Sequence, residues 1–310
     1  AHKQIAAGCV GLTCAKLAEA ELLAASGFTD ILIANQIASA PKIRRLVNLA
    51  AYTDVMVGVD HADNVRALSE AAAARGVTLR VLVEVDIGHH RCGVAPFAPT
   101  LELARLVAGS PGLRFIGLMG YDGHLTLKVT AEERAVKALE SARVLVDVRR
   151  YVEDAGLHIE VVSASGTFTY RYATQVEGIT EIQAGTYLLM DTTFQEKGVT
   201  EFELALSVVG TVTSRPSRDL AIIDVGRKAI ETGWGMPAVK SHPGAVITSM
   251  SQEHGRMDVS GVENPPQVGD QVELWTADCN CTINLYDRFY ALRGELVEAV
   301  WDIPGRGAST

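Results

Sequence analysis

Two short segments of small and hydroxyl-bearing residues have a composition that suits phosphate binding. Ser163–Thr167 reads SASGT and Ala184–Tyr187 reads AGTY, and each follows or ends an apolar run. Small side chains leave backbone N–H groups accessible, and these groups bind phosphate oxygens together with nearby hydroxyl groups. Ordinary polar turns have the same composition, so the residues alone leave both interpretations open.

An arginine, a tyrosine and a histidine lie at or beyond the ends of two further apolar runs. Arg91 lies in the segment GHHRCG, while Tyr121 and His124 begin and end the segment YDGH. A guanidinium group can hold a carboxylate with two parallel hydrogen bonds, so Arg91 is a candidate ligand for a substrate carboxylate. The Tyr121 hydroxyl would face a site at the end of its run, and His124 is a candidate base. A solvated arginine, a buried tyrosine and a histidine with a structural partner are the alternatives.

Segments that alternate between strand-like and helix-like patterns must position these residues. Short apolar runs, typical of strands buried on both faces, occur at Cys9–Ala15, Asp30–Asn35, Asp54–Asp60, Arg80–Asp86, Arg114–Tyr121, Ile159–Ser165 and Glu181–Met190. Helical spacing predicts helices at Lys16–Ser26, Asn64–Arg75 and Ala131–Ala155. Thr130 and Glu133 have the spacing of a capping box at the start of the third helix.

Repeated strand–helix units predict a parallel sheet. Seven strands are one short of a (β/α)₈ TIM-type barrel, and we expect the first strand to be missing from the chain, upstream of Ala1. A doubly wound open sheet is the alternative, but it usually has a glycine-rich turn after its first strand, which Cys9–Ala15 lacks. In a barrel the active site lies at the carboxyl ends of the strands, which is where the candidate residues fall.

The pattern changes near residue 203, so we predict a barrel domain over residues 1–202 and a mainly β domain over residues 203–310. The second domain lacks a long helical segment and has Pro- and Gly-rich breaks. Its predicted strands are Leu204–Ser214, Asp219–Asp224, Ala245–Met250, Gln271–Trp275, Phe289–Leu292 and Leu296–Trp301.

Bulk composition narrows the partners and the compartment. The 310 residues are 48% hydrophobic and carry a net charge of −9, without a long basic run, so nucleic acid is not an expected partner. The chain has no apolar run of membrane-spanning length, so we expect no membrane association. The five cysteines are an odd number in a long chain, which favours a reducing cytoplasm over a disulfide framework.

Several motifs together resemble one family, the D-threonine aldolase / D-serine dehydratase family of fold-type III, alanine-racemase-like enzymes. They cover nearly the whole chain, and their combination is more specific than any one of them. The motifs are VGLTCAK (10–16), DILIANQI (30–37), EVDIGHHRCGV (84–94), GYDGH (120–124), GT (166–167), EIQAGTYLLMD (181–191), DVGRK (224–228) and CNCTINLYD (279–287).

This resemblance implies a homodimer that binds pyridoxal 5′-phosphate in the barrel and acts on a small amino-acid substrate. It implies that Arg91 and Tyr121 lie beside the cofactor. It also implies a phosphate site formed by Ser165, Gly166, Thr167, Gly185, Thr186 and Tyr187. The cofactor withdraws electrons from Cα of the substrate, and the protein selects the bond that breaks.

The chain departs from the family at three places. Ala1–Lys3 resembles the end of the run that carries the cofactor lysine, so we expect that lysine just upstream of Ala1 and keep Lys3 as a candidate. Asp278–Thr282 reads DCNCT where the family has a His-Cys-Asp metal site. Asp278 and Asn280 are the candidate ligands for Mn, Mg or Zn, or else contact substrate without a metal. Asp122 stands where aldolase relatives often carry His.

The leading functional hypothesis is a lyase that cleaves D-3-hydroxy amino acids, as D-threonine aldolase does, into glycine and an aldehyde. Dehydration of D-serine or 3-hydroxyaspartate and racemisation of an amino acid are alternatives on the same fold. A cofactor-carrying regulatory protein without turnover is an alternative of another class, as is a degenerate barrel that binds no cofactor.

Overall fold

A computed structural model describes residues 1–126 and 129–310 of the chain. These residues form two compact units. The first unit contains residues 1–184 and 307–310, and the second contains residues 185–306. The domain boundary between residues 202 and 203 that the sequence suggests stays a prediction.

The first unit is built on a seven-stranded parallel sheet in which every strand pairs with its neighbour in sequence. Its strands are β1 (Leu12–Cys14), β2 (Ile31–Gln36), β3 (Val55–Val59), β4 (Leu79–Glu84), β5 (Leu113–Gly120), β6 (Val161–Ala164) and β7 (Glu181–Ile182). This curled, half-barrel sheet confirms the prediction of a TIM-type architecture.

Helices connect these strands and cover the sheet. They are α1 (His2–Ala6), α2 (Leu17–Ala25), α3 (Ala40–Leu49), α4 (Ala62–Arg75), α5 (Ala98–Ala108), α6 (Ala131–Asp154) and α7 (Tyr170–Ala173), with a 3₁₀ turn at Gly123–Leu125. The predicted capping box starts α6: Glu133 N donates to Thr130 Oγ1 over 3.2 Å, and Thr130 N donates to Glu133 Oε2 over 3.0 Å. Repeated strand–helix units predict helices where α3 and α5 lie but give no bounds for them, and the sequence pattern does not indicate α1.

The strands are apolar on both faces because each face has its own core. Successive side chains of a strand point to opposite faces of a sheet. On one face, Leu32, Met56, Leu82, Ile116 and Met119 form a small buried cluster. The opposite face packs against the helices in a larger core that includes Ile31, Ile33, Val57, Val81 and Val83. Burial on two sides accounts for continuous apolar runs where a one-sided strand would alternate.

The strand predicted over Glu181–Met190 is too long. Only Glu181–Ile182 pairs with β6, and the last ladder contact is from Gln183 N to Ala164 O, at 3.3 Å. Strand β6 ends at Ala164, and the next residue, Ser165, has a φ of 68° that does not continue the strand. Residues after Gln183 therefore have no ladder to join, and Thr186–Leu188 form a 3₁₀ turn instead.

The second unit is a closed, six-stranded antiparallel barrel with an additional hairpin. The barrel strands are β8 (Ser207–Ser217), β9 (Leu220–Ile223), β10 (Ala238–Val239), β11 (Val246–Met250), β12 (Gly255–Asp258) and β13 (Gln271–Trp275), and the hairpin strands are β14 (Arg288–Arg293) and β15 (Leu296–Asp302). Two short helices, α8 (Thr192–Glu196) and α9 (Cys279–Ile283), complete it. Strands β10 and β12 had not been predicted, since both are short.

No helix within residues 1–126 and 129–310 combines the length and the apolar character needed to cross a membrane.

Two glycines with similar left-handed backbones offer a matched test of close packing in the first unit. Gly76 ends α4 with a φ of 72° and would place a Cβ in open space. Gly112 has a φ of 75°, but a Cβ there would lie 2.8 Å from Ala73 N. Gly76→Ala should cost ~1 kcal/mol of unfolding free energy, from backbone strain alone. Gly112→Ala should cost ~2 kcal/mol more, because α4 must also move.

Urea unfolding followed by circular dichroism measures both losses. Equal losses for the two variants would contradict the packing between α4 and the start of β5.

Candidate functional site

Polar side chains at the carboxyl ends of β2 and β4 meet at one edge of the parallel sheet. Gln36 donates through Nε2 to Oε2 of Glu84 over 2.5 Å. Glu84 is buried, and burial raises the pKa of its carboxyl, although the hydrogen bond from Gln36 opposes that shift. The charges of Asp60, Asp86 and Arg91 also act on Glu84, so these groups lie close together.

The loop that carries Arg91 folds back on its own strand. Asp86 Oδ1 accepts hydrogen bonds from Gly88 N and His90 N, both over 3.0 Å, and Asp86 Oδ2 lies 2.7 Å from His90 Nδ1. Asp86 N donates to Val94 O over 2.9 Å, which closes the loop. Arg91 is exposed within this loop, and the hydrogen bonds around Asp86 fix the backbone that carries it.

Tyr121 lies beside two other predicted site residues, Arg91 and Gly166. Its side chain is 38% exposed, and the Arg91 guanidinium carbon lies 5.3 Å from the ring centroid. Gly166, in the loop after β6, lies so close that a Cβ there would be 3.5 Å from Tyr121 Cε2. Partial burial raises the pKa of the Tyr121 phenol, and the charge of Asp122 raises it further. Arg91, Tyr121 and Gly166 thus form one surface with a protonated phenol at neutral pH.

Two histidines extend this surface. The His89 ring meets the Tyr121 ring edge-on at 5.8 Å and stacks with the His124 ring at 5.9 Å. Each Nδ1 is buried, and neither has a hydrogen-bond partner among residues 1–126 and 129–310. Burial lowers the pKa of both imidazoles, and neighbouring positive charge lowers each further. At neutral pH both rings are therefore uncharged, and each has a nitrogen lone pair that can accept a proton.

A buried carboxyl lies behind Tyr121. Asp122 Oδ1 accepts a hydrogen bond from Thr169 Oγ1 over 2.9 Å, and Thr169 Oγ1 lies 2.7 Å from Ser165 Oγ. All three side chains are buried. Burial raises the pKa of Asp122 to about 6, although the hydrogen bond from Thr169 opposes the shift. This chain of hydrogen bonds fixes the loop after β6, in which Ser165, Gly166 and the buried Thr167 are predicted phosphate ligands.

The other predicted phosphate segment lies in the second unit. Gly185 precedes the 3₁₀ turn Thr186–Leu188, and a Cβ at Gly185 would have no neighbour within 4 Å. The Tyr187 ring lies 5.5 Å from the Phe202 ring. The backbone at Gly185 is therefore open to a ligand-sized group, and phosphate binding by Gly185, Thr186 and Tyr187 stays a prediction.

The two predicted metal ligands, Asp278 and Asn280, differ in burial. Asp278 is buried, and its Oδ1 accepts a hydrogen bond from Cys281 N over 3.1 Å, which caps the start of α9. Asn280 is exposed. Over the described ranges, no group of at least three His, Cys, Asp or Glu side chains is placed to hold a metal ion. The donor arrangement gives no support to the predicted Mn, Mg or Zn site, which stays a prediction.

Asp191 is a buried residue of the second unit that sequence reasoning missed. Its Oδ1 accepts a hydrogen bond from Phe194 N over 3.0 Å, and its Oδ2 accepts one from Cys279 N over 3.2 Å. One carboxylate therefore binds the backbone at the start of α8 and the start of α9. Partial burial raises the pKa of Asp191, while these backbone hydrogen bonds oppose the shift.

Among residues 1–126 and 129–310, no contact links Lys3 to the other residues of the first-unit site. Lys3 is exposed in α1, and its role as a cofactor lysine stays a prediction. Sequence reasoning also missed His89, which precedes Arg91 in the quoted motif and could have been found by its proximity. Thr169 gave no such signal, because nothing in its local sequence indicates a hydrogen bond to Asp122.

Comparison with known families identifies both parts of the chain. Residues 1–193 match the family model described as the alanine racemase N-terminal domain. Residues 205–292 match the model of a serine dehydratase-like domain.

Individual relatives extend this similarity over the whole chain. The chain is 34% identical to a D-threonine aldolase from Arthrobacter sp. over 312 aligned residues, which cover 100% of this chain and 82% of that relative. It is 30% identical to a D-threo-3-hydroxyaspartate dehydratase from Delftia sp., over 82% of this chain and 72% of that relative. The crystal structure of D-threonine aldolase from Filomicrobium marinum superposes with a TM-score of 0.95 at 34% identity, covering 100% of this chain and 85% of that one.

The α9 segment allows a test of its electrostatics through a thiol. Partial burial raises the pKa of Cys281 to about 11, and the Asp278 carboxylate contributes through a hydrogen bond and through its charge. Asn is as good a helix cap as Asp. Asp278→Asn should therefore keep α9 folded, lower the pKa of Cys281 and increase its alkylation by iodoacetamide roughly severalfold at mildly alkaline pH, since the thiolate reacts.

Peptide mass spectrometry measures the rate for each cysteine, with the exposed Cys9 of the same molecule as the internal control. An unchanged rate at Cys281 would contradict the contact between its thiol and Asp278.

Proposed function

We propose, on the premise that this chain belongs to the D-threonine aldolase / D-serine dehydratase family of alanine-racemase-like proteins, that it is a pyridoxal-phosphate-dependent lyase. Its substrates would be D-3-hydroxy amino acids, which it would cleave between Cα and Cβ into glycine and an aldehyde. The observation that carries this proposal is the surface formed by Arg91, Tyr121 and Gly166 at the carboxyl ends of the strands.

The residues of the first unit fit the proposed cofactor. Gly166 is the residue whose missing Cβ leaves room between its backbone and the Tyr121 ring, and Ser165 with its positive φ turns the chain at the same point. This arrangement would let Ser165, Gly166 and Thr167 hold a phosphate while Tyr121 lies beside the ring of the cofactor. When bound, pyridoxal phosphate withdraws electrons from Cα of an amino acid and so weakens the bonds to that atom.

The chain's own residues would bind and orient the substrate. Arg91 carries a fixed positive charge with a forked donor geometry, which suits a carboxylate. Because the guanidinium group lies over the Tyr121 ring, its forked N–H donors would reach the substrate from one side of the site. Glu84, buried beside it, would restrain the guanidinium through its charge. The expected result is a substrate carboxylate held in one orientation relative to Tyr121.

Cleavage also requires a group that removes the proton of the 3-hydroxyl. His124 is the proposed base, because burial lowers the pKa of its imidazole and its ring stacks on His89, which contacts Tyr121. General bases work best when their pKa is near or below the working pH, as it is for this histidine. We derive no step through a metal, since Asp278 caps α9 and Asn280 is exposed.

Dehydration is the second candidate reaction, and the similarity to the Delftia dehydratase favours it. It would remove the proton from Cα and the hydroxyl from Cβ as water, and hydrolysis of the resulting enamine would then release a 2-oxo acid and ammonia. Homodimer formation and a cytoplasmic location, which the family resemblance and the free cysteines suggest, belong to the same proposal.

Product analysis tests the proposal. We expect the purified protein, extended upstream of Ala1 to include the expected cofactor lysine and supplied with pyridoxal phosphate and D-threonine, to release glycine and acetaldehyde in equal amounts. L-threonine should give no product, and dialysis against a chelator with readdition of Mn, Mg or Zn tests the metal prediction. A 2-oxo acid would assign dehydration, an inverted amino acid would assign racemisation, and no product from any D-3-hydroxy amino acid would refute a lyase.

Arg91→Lys tests the carboxylate contact, because lysine keeps the charge and loses the fork. We expect kcat/KM to fall roughly tenfold or more, as for the loss of a charged hydrogen bond. Arg105→Lys, at an exposed position in α5, is the matched control and should leave kcat/KM unchanged. Equal effects of the two substitutions would remove Arg91 from the proposed site.

A further inference from the structure

The hydrogen bonds that link Asp122 to the loop after β6 are almost completely sheltered from water. Asp122 is 5% exposed, Thr169 is 1% exposed and Ser165 is 2% exposed. The chain runs from Ser165 Oγ to Thr169 Oγ1 over 2.7 Å and from Thr169 Oγ1 to Asp122 Oδ1 over 2.9 Å. Each hydroxyl has one proton to donate, so the direction of donation along this chain is determined by its end groups.

The charge state of Asp122 determines that direction. An ionised carboxylate can only accept, so it takes the proton of Thr169, and Thr169 in turn accepts the proton of Ser165. In this state Ser165 presents lone pairs alone to any other group. A protonated Asp122 can donate to Thr169, and Thr169 can then donate to Ser165. The Ser165 proton is then available, since its other contact, to Gly166 O, is long at 3.4 Å.

We propose that Asp122 is a positioning residue for phosphate: through Thr169, it decides whether the Ser165 hydroxyl can donate to a phosphate oxygen. This inference rests on the proposed function, because that function assigns phosphate binding to the loop that contains Ser165. It adds a residue of this chain, Asp122, which stands where aldolase relatives often carry His. It also predicts that protonation of Asp122 and binding of phosphate are coupled.

Coupling makes phosphate affinity depend on pH with a definite sign. The two ligands, proton and phosphate, favour each other, because the protonated carboxyl removes a buried negative charge and frees the Ser165 donor. Burial places the pKa of Asp122 at about 6. Affinity is therefore highest below about pH 6 and falls as the pH rises through that value.

Few other charged groups reach this carboxyl among the described residues. Tyr121 is the titratable neighbour whose pKa is raised by the charge of Asp122, and the charge of Arg91 lowers the pKa of Tyr121. On the helices that follow, Arg134 of α6 donates to Leu125 O and stacks on Phe168, and Arg171 of α7 stacks on Tyr172. The pKa of Tyr121 is raised above its ordinary value, so Tyr121 does not titrate in the same range.

Binding of pyridoxamine phosphate to the full chain tests the proposal, because this analogue has no aldehyde and needs no lysine. Its dissociation constant is measured by calorimetry from about pH 5 to about pH 8, against pyridoxamine as the phosphate-free control. For the unaltered chain we expect affinity for the phosphorylated ligand to fall at least roughly tenfold more over this range than in Asp122→Asn. Titration of the ligand itself is common to both proteins and cancels in the comparison.

Asp122→Asn imitates the protonated state, since its amide donates to Thr169 and carries no charge. Apart from the titration of the ligand itself, the affinity of Asp122→Asn should stay near the acid-pH value throughout. Ser165→Gly removes the hydroxyl at a backbone position that suits glycine and should reduce the pH dependence while Asp122 remains. Glu181→Gln is the matched control: Glu181 accepts from Ser163 over 2.5 Å and its pKa is raised by burial, yet the profile should not change.

Three outcomes would contradict the proposal, and they are distinguishable. Identical pH profiles for the unaltered chain and Asp122→Asn would overturn the role of Asp122 and leave the lyase proposal standing. Pyridoxamine phosphate that binds neither protein at any pH would overturn the cofactor assignment and the inference with it. An equal pH effect on pyridoxamine would assign the effect to the ring of the ligand and overturn the phosphate role.

Discussion

Parallel pairing of seven neighbouring strands is the constraint on which the first unit depends. In such a sheet all carboxyl ends lie at one edge, whatever the distance between the strands in sequence. Gln36 and Glu84 meet there across 48 residues of chain, and Asp122 meets Thr169 across 47. The ladder hydrogen bonds and the two apolar cores supply the stability, which frees the strand ends to carry groups that would weaken a core.

Desolvation then determines the chemistry of that edge more than direct charge pairing does. Burial is the largest influence on the pKa values of Glu84, His89, Asp122 and His124, and in each case it favours the uncharged form. An edge of this kind places carboxyls with a raised pKa beside imidazoles with a lowered pKa. Arg91 is the exception, because its guanidinium stays charged in any protein environment. The site therefore combines one fixed cation with several groups that can gain or lose a proton.

The sequence predicted the strands of this molecule better than the segments that connect them. Apolar runs located all seven strands of the first unit, since burial on both faces leaves a continuous signal in the chain, and Gln271–Trp275 was predicted with its observed bounds. The strand predicted over Glu181–Met190 was too long, because an apolar composition does not indicate where the hydrogen bonds of the neighbouring strand β6 end. Arg91, Tyr121 and the Gly166 loop were found from their places after strands. His89 was missed although it lies two residues before Arg91, and Thr169 was missed because its contact with Asp122 exists only in the folded chain.

Asp191 in the second unit has a consequence for how this part of the protein can change over time. Its carboxylate accepts hydrogen bonds from main-chain amides at two helix starts, and the buried Cys279 thiol also contacts it. A segment that is held through its backbone amides keeps its conformation when its exposed side chains are substituted. Asn280 and Cys281, the exposed residues of this turn, can thus be substituted singly while Cys279 and Thr282 stay buried, so the turn is a place where related proteins can diverge in what they bind.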